Sequence, residues 1–200
     1  MKSYLRWSST LRWSLCMLVA LVVPSVAYAH VGVGETSGFV HGLGHPVSGL
    51  DHFVAMVSVG LWAAQRGGRS VWVVPLSFVS VMAVGCLLCR VDVLIPFIEQ
   101  GIIASLLVLG MLIAAAARLP LVASSLLVAL FAVFHGHAHG TEMPETLTGF
   151  AYGVGFTLVT GFLLAFGIGL GLLAQRLVSL RATQYAGGVI TAIGIYLCIA

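Results

Sequence analysis

The stretch GFVHGLGHPVSGLDHF, residues 38–53, opens an apolar run that continues to about residue 64, yet it carries three histidines and an aspartate. A run of this length exceeds the roughly 20 residues that an α-helix needs to cross a bilayer. Imidazole and carboxylate groups are costly in hydrocarbon and, where they occur, face a protein interior or a water-filled cavity. The surrounding chain is of the same kind: 60% of its 200 residues are hydrophobic, 8% are charged, and the mean hydropathy is +1.11. A water-soluble domain needs a far larger polar fraction to cover its surface. The sequence therefore specifies an all-α integral membrane protein, and the four polar residues need an explanation within it.

The start of the chain has the form of a secretory signal. Lys2, Arg6 and Arg12 precede the short apolar stretch SLCMLVALVVPSV, and AYA ends at Ala29 as a small-residue cleavage site. The expected organisation is a cleavable signal peptide at 1–29 and a six-helix transmembrane domain at 30–200. The six spans are expected near 38–64, 71–89, 93–117, 119–140, 147–174 and 183–200, separated by connections too short to hold a soluble domain. With the mature N-terminus outside, Arg66, Arg69, Arg118, Arg176 and Arg181 fall on the cytoplasmic side and Arg90 alone falls outside. That bias follows the positive-inside rule and places both termini of the mature chain on the periplasmic side of the inner membrane. The arginines stand singly at helix ends, which excludes a nucleic-acid-binding patch. Gly149 and Gly153, and Gly167 and Gly171, have the GxxxG spacing of close helix packing. We read them as contacts within the chain, with a homo-oligomer seam as the alternative. Cys86 and Cys89 form an isolated CxxC, read as small packing side chains.

At about 100° per residue, His45 lies about 40° and His52 about 20° from His41, so a continuous first helix carries all three on one stripe. Asp51 lies about 80° to one side. Pro46 has no N–H to give the Gly42 carbonyl and is expected to kink this helix. In FHGHAHGTE, residues 134–142, His135, His139 and Glu142 share a second face at i, i+4 and i+7, with His137 opposite. The first and fourth spans run in opposite directions, which brings both stripes to the outer half of the membrane. Imidazoles with carboxylates suit borderline divalent metals such as Ni²⁺, Co²⁺, Cu²⁺ and Zn²⁺, and the absence of thiolate argues against Cu(I). Asp51 and Glu142 would offset the ion's charge in a low-dielectric site. Glu99 could lie inside the third span, but no spacing pairs it with the others.

HPVSGLDH (45–52) matches the HPxxGxDH motif, and FHGHAHGTE matches the FHGxAxGxE motif, of the HupE/UreJ family of nickel permeases. On these motifs, and on its signal-plus-six-helix plan, the chain resembles that family over its whole length. The resemblance implies uptake of Ni²⁺, or of Co²⁺ as in some relatives, and supply of the metal to hydrogenase or urease maturation. It implies functional roles for His45, Asp51, His52, His135 and Glu142. It also implies a metal-collecting role for His30, which with its free amine would stand at the mature N-terminus. His41 and His139 are added on helical geometry alone. The metal would be cargo rather than a permanent cofactor. The chain carries no P-loop or other nucleotide motif, so transport would be facilitated or coupled to a gradient. The motifs open each three-helix half in opposite orientation, a hint of an inverted repeat. The competing classes are a haem electron-transfer protein with paired axial histidines and a di-metal membrane enzyme, which would want more carboxylates in E-x-x-H spacing.

Overall fold

The computed structural model describes residues 38–143 and 147–200, and every regular element among them is an α-helix. The signal segment, His30, Glu35 and Glu145 lie outside the described residues. The helices are α1 (Gly38–Ser48), α2 (Leu50–Arg66), α3 (Ser70–Arg90), α4 (Ile98–Ala114), α5 (Leu121–Glu142), α6 (Leu147–Leu177) and α7 (Leu180–Ile199). Four of them, α3, α5, α6 and α7, are long and apolar enough to cross a membrane. Their outer surfaces present Trp72, Leu76, Leu126, Phe150, Phe162 and Ile199 to the surroundings, as lipid-facing helices do. The protein is all-helical and multi-pass.

Two segments depart from the expected spans. The first is not one helix: α1 and α2 meet at an angle of 80°, and together they count as a broken span. The break falls at Gly49, whose backbone is extended (φ −95°, ψ 121°), while Pro46 stays inside α1 with its ring buried. The expected kink at the proline is thus displaced by three residues to the glycine, where a Cβ would crowd the Asp51 carboxylate oxygen at 2.8 Å. The third segment begins as a helix only at Ile98 and has 17 residues, about 26 Å at 1.5 Å per residue. Pro96 disfavours a helical conformation at Ile95, and Asp92 and Phe97 sit in the left-handed region (φ 57° and 59°), turning the chain before α4 starts.

With α1 and α2 taken as one segment, the most extensive contacts pair the first segment with α6, α3 with α5, and α4 with α7. Exchanging the first three segments with the last three leaves this pairing map unchanged, as the inverted-repeat hint anticipates. Glycines set the spacing. A Cβ on Gly42 or Gly60 would run into the backbone of Tyr152 or Leu164 on α6, and one on Gly155 or Gly167 would strike the backbone of Phe39 or Val57 in return. Gly136 of α5 lies on the Met82 carbonyl of α3, and Gly110 of α4 faces Gly187 of α7. Of the two GxxxG pairs, Gly167 and Gly171 pack on α2, whereas Gly153 meets no atom closer than the Met143 sulfur at 3.8 Å. Between the helices lies a core in which Met56, Val59, Trp62, Phe78, Leu106, Leu109 and Ile113 are fully buried.

Gly60→Ala should therefore destabilise the protein by about 1–3 kcal/mol, because α2 and α6 would have to separate. Gly188→Ala, on an open face of α7 with nothing within 4 Å, should be neutral or stabilising by up to about 1 kcal/mol. Thermal unfolding of the two purified variants in detergent compares them; an equal fall in Tm would contradict the glycine-set spacing.

Candidate metal centre

The break at Gly49 places one polar residue at each of two helix ends. His45 stands in the last turn of α1, where the unsatisfied carbonyls favour positive charge, and Asp51 stands in the first turn of α2, where the free N–H groups favour a carboxylate. Asp51 Oδ1 accepts the backbone N–H of His52 at 2.8 Å and the His52 ring Nδ1–H at 2.9 Å. That second bond fixes the tautomer. With its proton on Nδ1, His52 turns an Nε2 lone pair inward, and this atom is buried and without a partner. A carboxylate behind an imidazole is the usual device for orienting a metal-binding histidine.

The opposite wall is the end of α5. His135 and His139 are 0% and 1% exposed. Ser105 of α4 donates its hydroxyl proton to the Ile102 carbonyl, so it accepts from His135 Nε2 at 3.2 Å. His135 Nδ1 is thereby left as a bare lone pair, buried and unpartnered. His139 has neither ring nitrogen paired. His45 Nε2 contacts Glu142 Oε2 in an ion-pair geometry. The rings pack edge on: the His52 centroid is 4.4 Å from that of His139 and 5.0 Å from that of His135, and the His45 centroid is 4.8 Å from that of His139. Ligand atoms of His45, His139 and Glu142 all lie within 4.8 Å of one another, so a small inward shift of the side chains would let one cation with bonds of about 2 Å engage all three.

Beside this cluster opens a cavity of about 450 Å³ whose polar lining is Asp51, His52, Glu99, Thr141 and Glu142. Three carboxylates thus face one space next to four histidines. Against the histidines on the α6 side, the Phe156 ring lies 4.0 Å from the His139 ring and stacks with Tyr152 at 6.3 Å, and Tyr152 in turn lies 5.9 Å from the His45 ring.

The structure brings His45, Asp51, His52, His135, His139 and Glu142 together. It does not bring in His41, which is exposed on α1; the stripe drawn through 41, 45 and 52 assumed one continuous helix, and the 80° bend ends that periodicity. His137 points away, as its position opposite His135 and His139 requires, and donates from Nε2 to the Val93 carbonyl at 2.9 Å. Cys86 and Cys89 are half-buried free thiols on α3, Cys89 lying against Gly140. Sequence reasoning left Glu99 unpaired and passed over Ser105, Phe156 and Tyr152. Glu99 joins the others through the placement of α4 against α2 and α5, a tertiary fact with no local spacing signal.

A family model described as HupE / UreJ protein matches residues 18–197 of the chain. A curated relative, Protein HupE of Rhizobium leguminosarum bv. viciae, is 41% identical over 177 residues, covering 88% of this chain and 92% of the relative. No solved structure matches.

His137 fastens α5 to the segment before α4, so its loss should be felt in stability alone. His137→Ala should lower the unfolding free energy by about 0.5–1.5 kcal/mol, the net contribution of the hydrogen bond it removes. Titration of purified protein with Ni²⁺ should give the wild-type affinity; a lost affinity with unchanged Tm would place His137 in the metal centre instead.

Proposed function

The chain belongs to the HupE/UreJ family, and from that premise we propose that it is a membrane permease for a divalent transition-metal ion, Ni²⁺ first and Co²⁺ as the alternative. The observation that carries the reading is the convergence of His45, His139 and Glu142 at the break in the first segment, with the bare Nε2 of His52 and Nδ1 of His135 beside them. Mixed imidazole and carboxylate donors suit a borderline divalent ion and leave softer Cu(I) without a thiolate. Broken helices whose ends face a coordinating site recur in transporters that bind cargo within the bilayer.

In this reading the end of the bundle that carries Arg90 faces the periplasm and the protein lies in the inner membrane. His30 and His41 collect the ion outside the centre, and the cavity lined by Asp51, Glu99 and Glu142 admits it as its hydration shell is stripped. The ion displaces Glu142 from His45 and takes both, together with His139. Asp51 acts mainly through His52, holding its tautomer and orientation. On the other side of the centre the core is closed by Met56, Val59, Trp62, Leu109 and Ile113, so release requires the helices to move. Imidazole ligands must lose protons to bind metal. Exchange of protons for the ion is therefore the simplest coupling, and a falling external pH should slow uptake. The delivered metal would serve hydrogenase or urease maturation. The haem alternative gains no support from the cluster, because rings packed edge on leave no room for a macrocycle between two axial imidazoles.

Accumulation of radioactive Ni²⁺ by cells expressing the chain, with Co²⁺, Cu²⁺ and Zn²⁺ as competitors, tests the reading. Asp51→Ala should cut uptake by about 10–100-fold, the usual cost of losing a group that orients a metal ligand, and His52→Ala should abolish it. Normal uptake by either variant at normal membrane abundance would refute the site.

A further inference from the structure

Tyr152 stands on α6, where no motif marks it. Its side chain is 2% exposed, and its hydroxyl is buried with no hydrogen-bond partner among the described residues. The loss of a buried hydroxyl's water without replacement costs about 1–3 kcal/mol. Such a group persists where the folded state cannot avoid it or where its partner arrives later. The ring is fixed in place: it stacks with Phe156, their planes 3° apart, and Phe156 abuts His139. On its other side it lies 5.9 Å from the ring of His45, whose Nε2 is engaged by Glu142. The ring that carries the unpartnered hydroxyl thus neighbours His45, one half of the pair that a metal ion would have to separate.

We propose that Tyr152 is a positioning residue of the metal centre, its phenol hydroxyl serving as the hydrogen-bond donor that receives the Glu142 carboxylate once a bound cation has taken it from His45. The proposal rests on the permease reading and deepens it. In the unloaded protein, His45 and Glu142 satisfy each other and the phenol waits without a partner. When the ion arrives, both ligands turn to it, and the carboxylate retains acceptor capacity on the side away from the metal. Tyr152 fills that capacity with a neutral donor, which fixes the carboxylate's orientation without adding charge. Groups that hold a ligand in this way contribute about 10–100-fold in metal affinity.

Removal of the hydroxyl alone has opposite effects on the two states, and that separates this role from a structural one. Full-length wild type and Tyr152→Phe are purified in detergent, titrated with NiCl₂ by calorimetry, and melted with and without the metal. Tyr152→Phe should melt at the same temperature as wild type, or higher, without metal, because it sheds an unpartnered buried group. It should bind Ni²⁺ at least about 10-fold more weakly and gain correspondingly less thermal protection from it. Wild-type affinity in Tyr152→Phe overturns the proposal. So does a variant that melts lower without metal, since the hydroxyl would then have a partner in the unloaded protein. If wild type itself binds no Ni²⁺, Co²⁺ or Zn²⁺, the permease reading falls and this inference falls with it.

Discussion

The constraint on which this structure turns is the cost of an imidazole nitrogen with nothing to bond to in a dry interior. Burial of a polar group without a partner costs on the order of 1–3 kcal/mol, and four such nitrogens, on His52, His135 and His139, are gathered within a few ångströms. Several other polar groups of the interior find partners close by. Ser58 and Ser105 return their hydroxyls to backbone carbonyls, and Gln65 bonds both Ile113 and Thr183. Other buried polar atoms without a partner, such as Trp62 Nε1 and Thr160 Oγ1, stand singly elsewhere in the bundle, whereas these imidazole nitrogens are gathered beside the helix break. Asp51 and Ser105 reinforce the pattern, because each takes one ring proton and so turns the other nitrogen of its histidine inward as an acceptor.

The cluster needs its helices close, and glycine supplies the closeness. Without a hydrophobic force between apolar helices in lipid, association depends on van der Waals contact and on small residues that let backbones approach. Gly42 and Gly60 bring the first segment onto α6, and Gly85 and Gly136 bring α3 onto α5. These are the pairs that carry the clustered histidines and carboxylates. The first pair holds His45, Asp51 and His52, and it brings Tyr152 and Phe156 against them; the second holds His135, His139 and Glu142.

Much of this was legible in the chain. Among the described residues the apolar runs located the helices, apart from the break in the first segment and the late start of α4, since a lipid-facing segment needs unbroken hydrophobicity, and helical spacing singled out His139 although it lies outside the motif letters. A wheel drawn through residues 41–52 assumed continuous φ and ψ, but the extended Gly49 breaks the register between His52 and the α1 histidines; His45, in the last turn before the break, stays at the cluster, and His41, one turn farther along α1, is exposed. Pro46 and the Ser48-Gly49 dipeptide did signal irregular backbone, but a proline's missing donor does not say at which residue the chain will turn. Glu99, Ser105, Phe156 and Tyr152 were unreadable for a different reason. They enter through helix-to-helix packing, which brings together residues tens of positions apart with no periodicity linking them.

The division of donors between two pairs bears on how an ion could pass. Each pair is locked backbone to backbone, so a change within a pair would meet carbonyl and amide atoms with no room to yield. Between the pairs the contact is made by side chains: imidazole on imidazole, Phe156 on His139, His45 on Glu142. Side-chain contacts can re-form in a second arrangement, whereas interlocked backbones cannot. A movement of one pair against the other would alter every donor distance at once and leave the fold of each pair intact. The third pair, α4 with α7, lines the open side with Glu99 and, at its opposite end, receives the Gln65 amide at the Ile113 carbonyl. One helix therefore borders the cavity and, at its other end, is tied to α2, so that any displacement of α4 acts on both ends together.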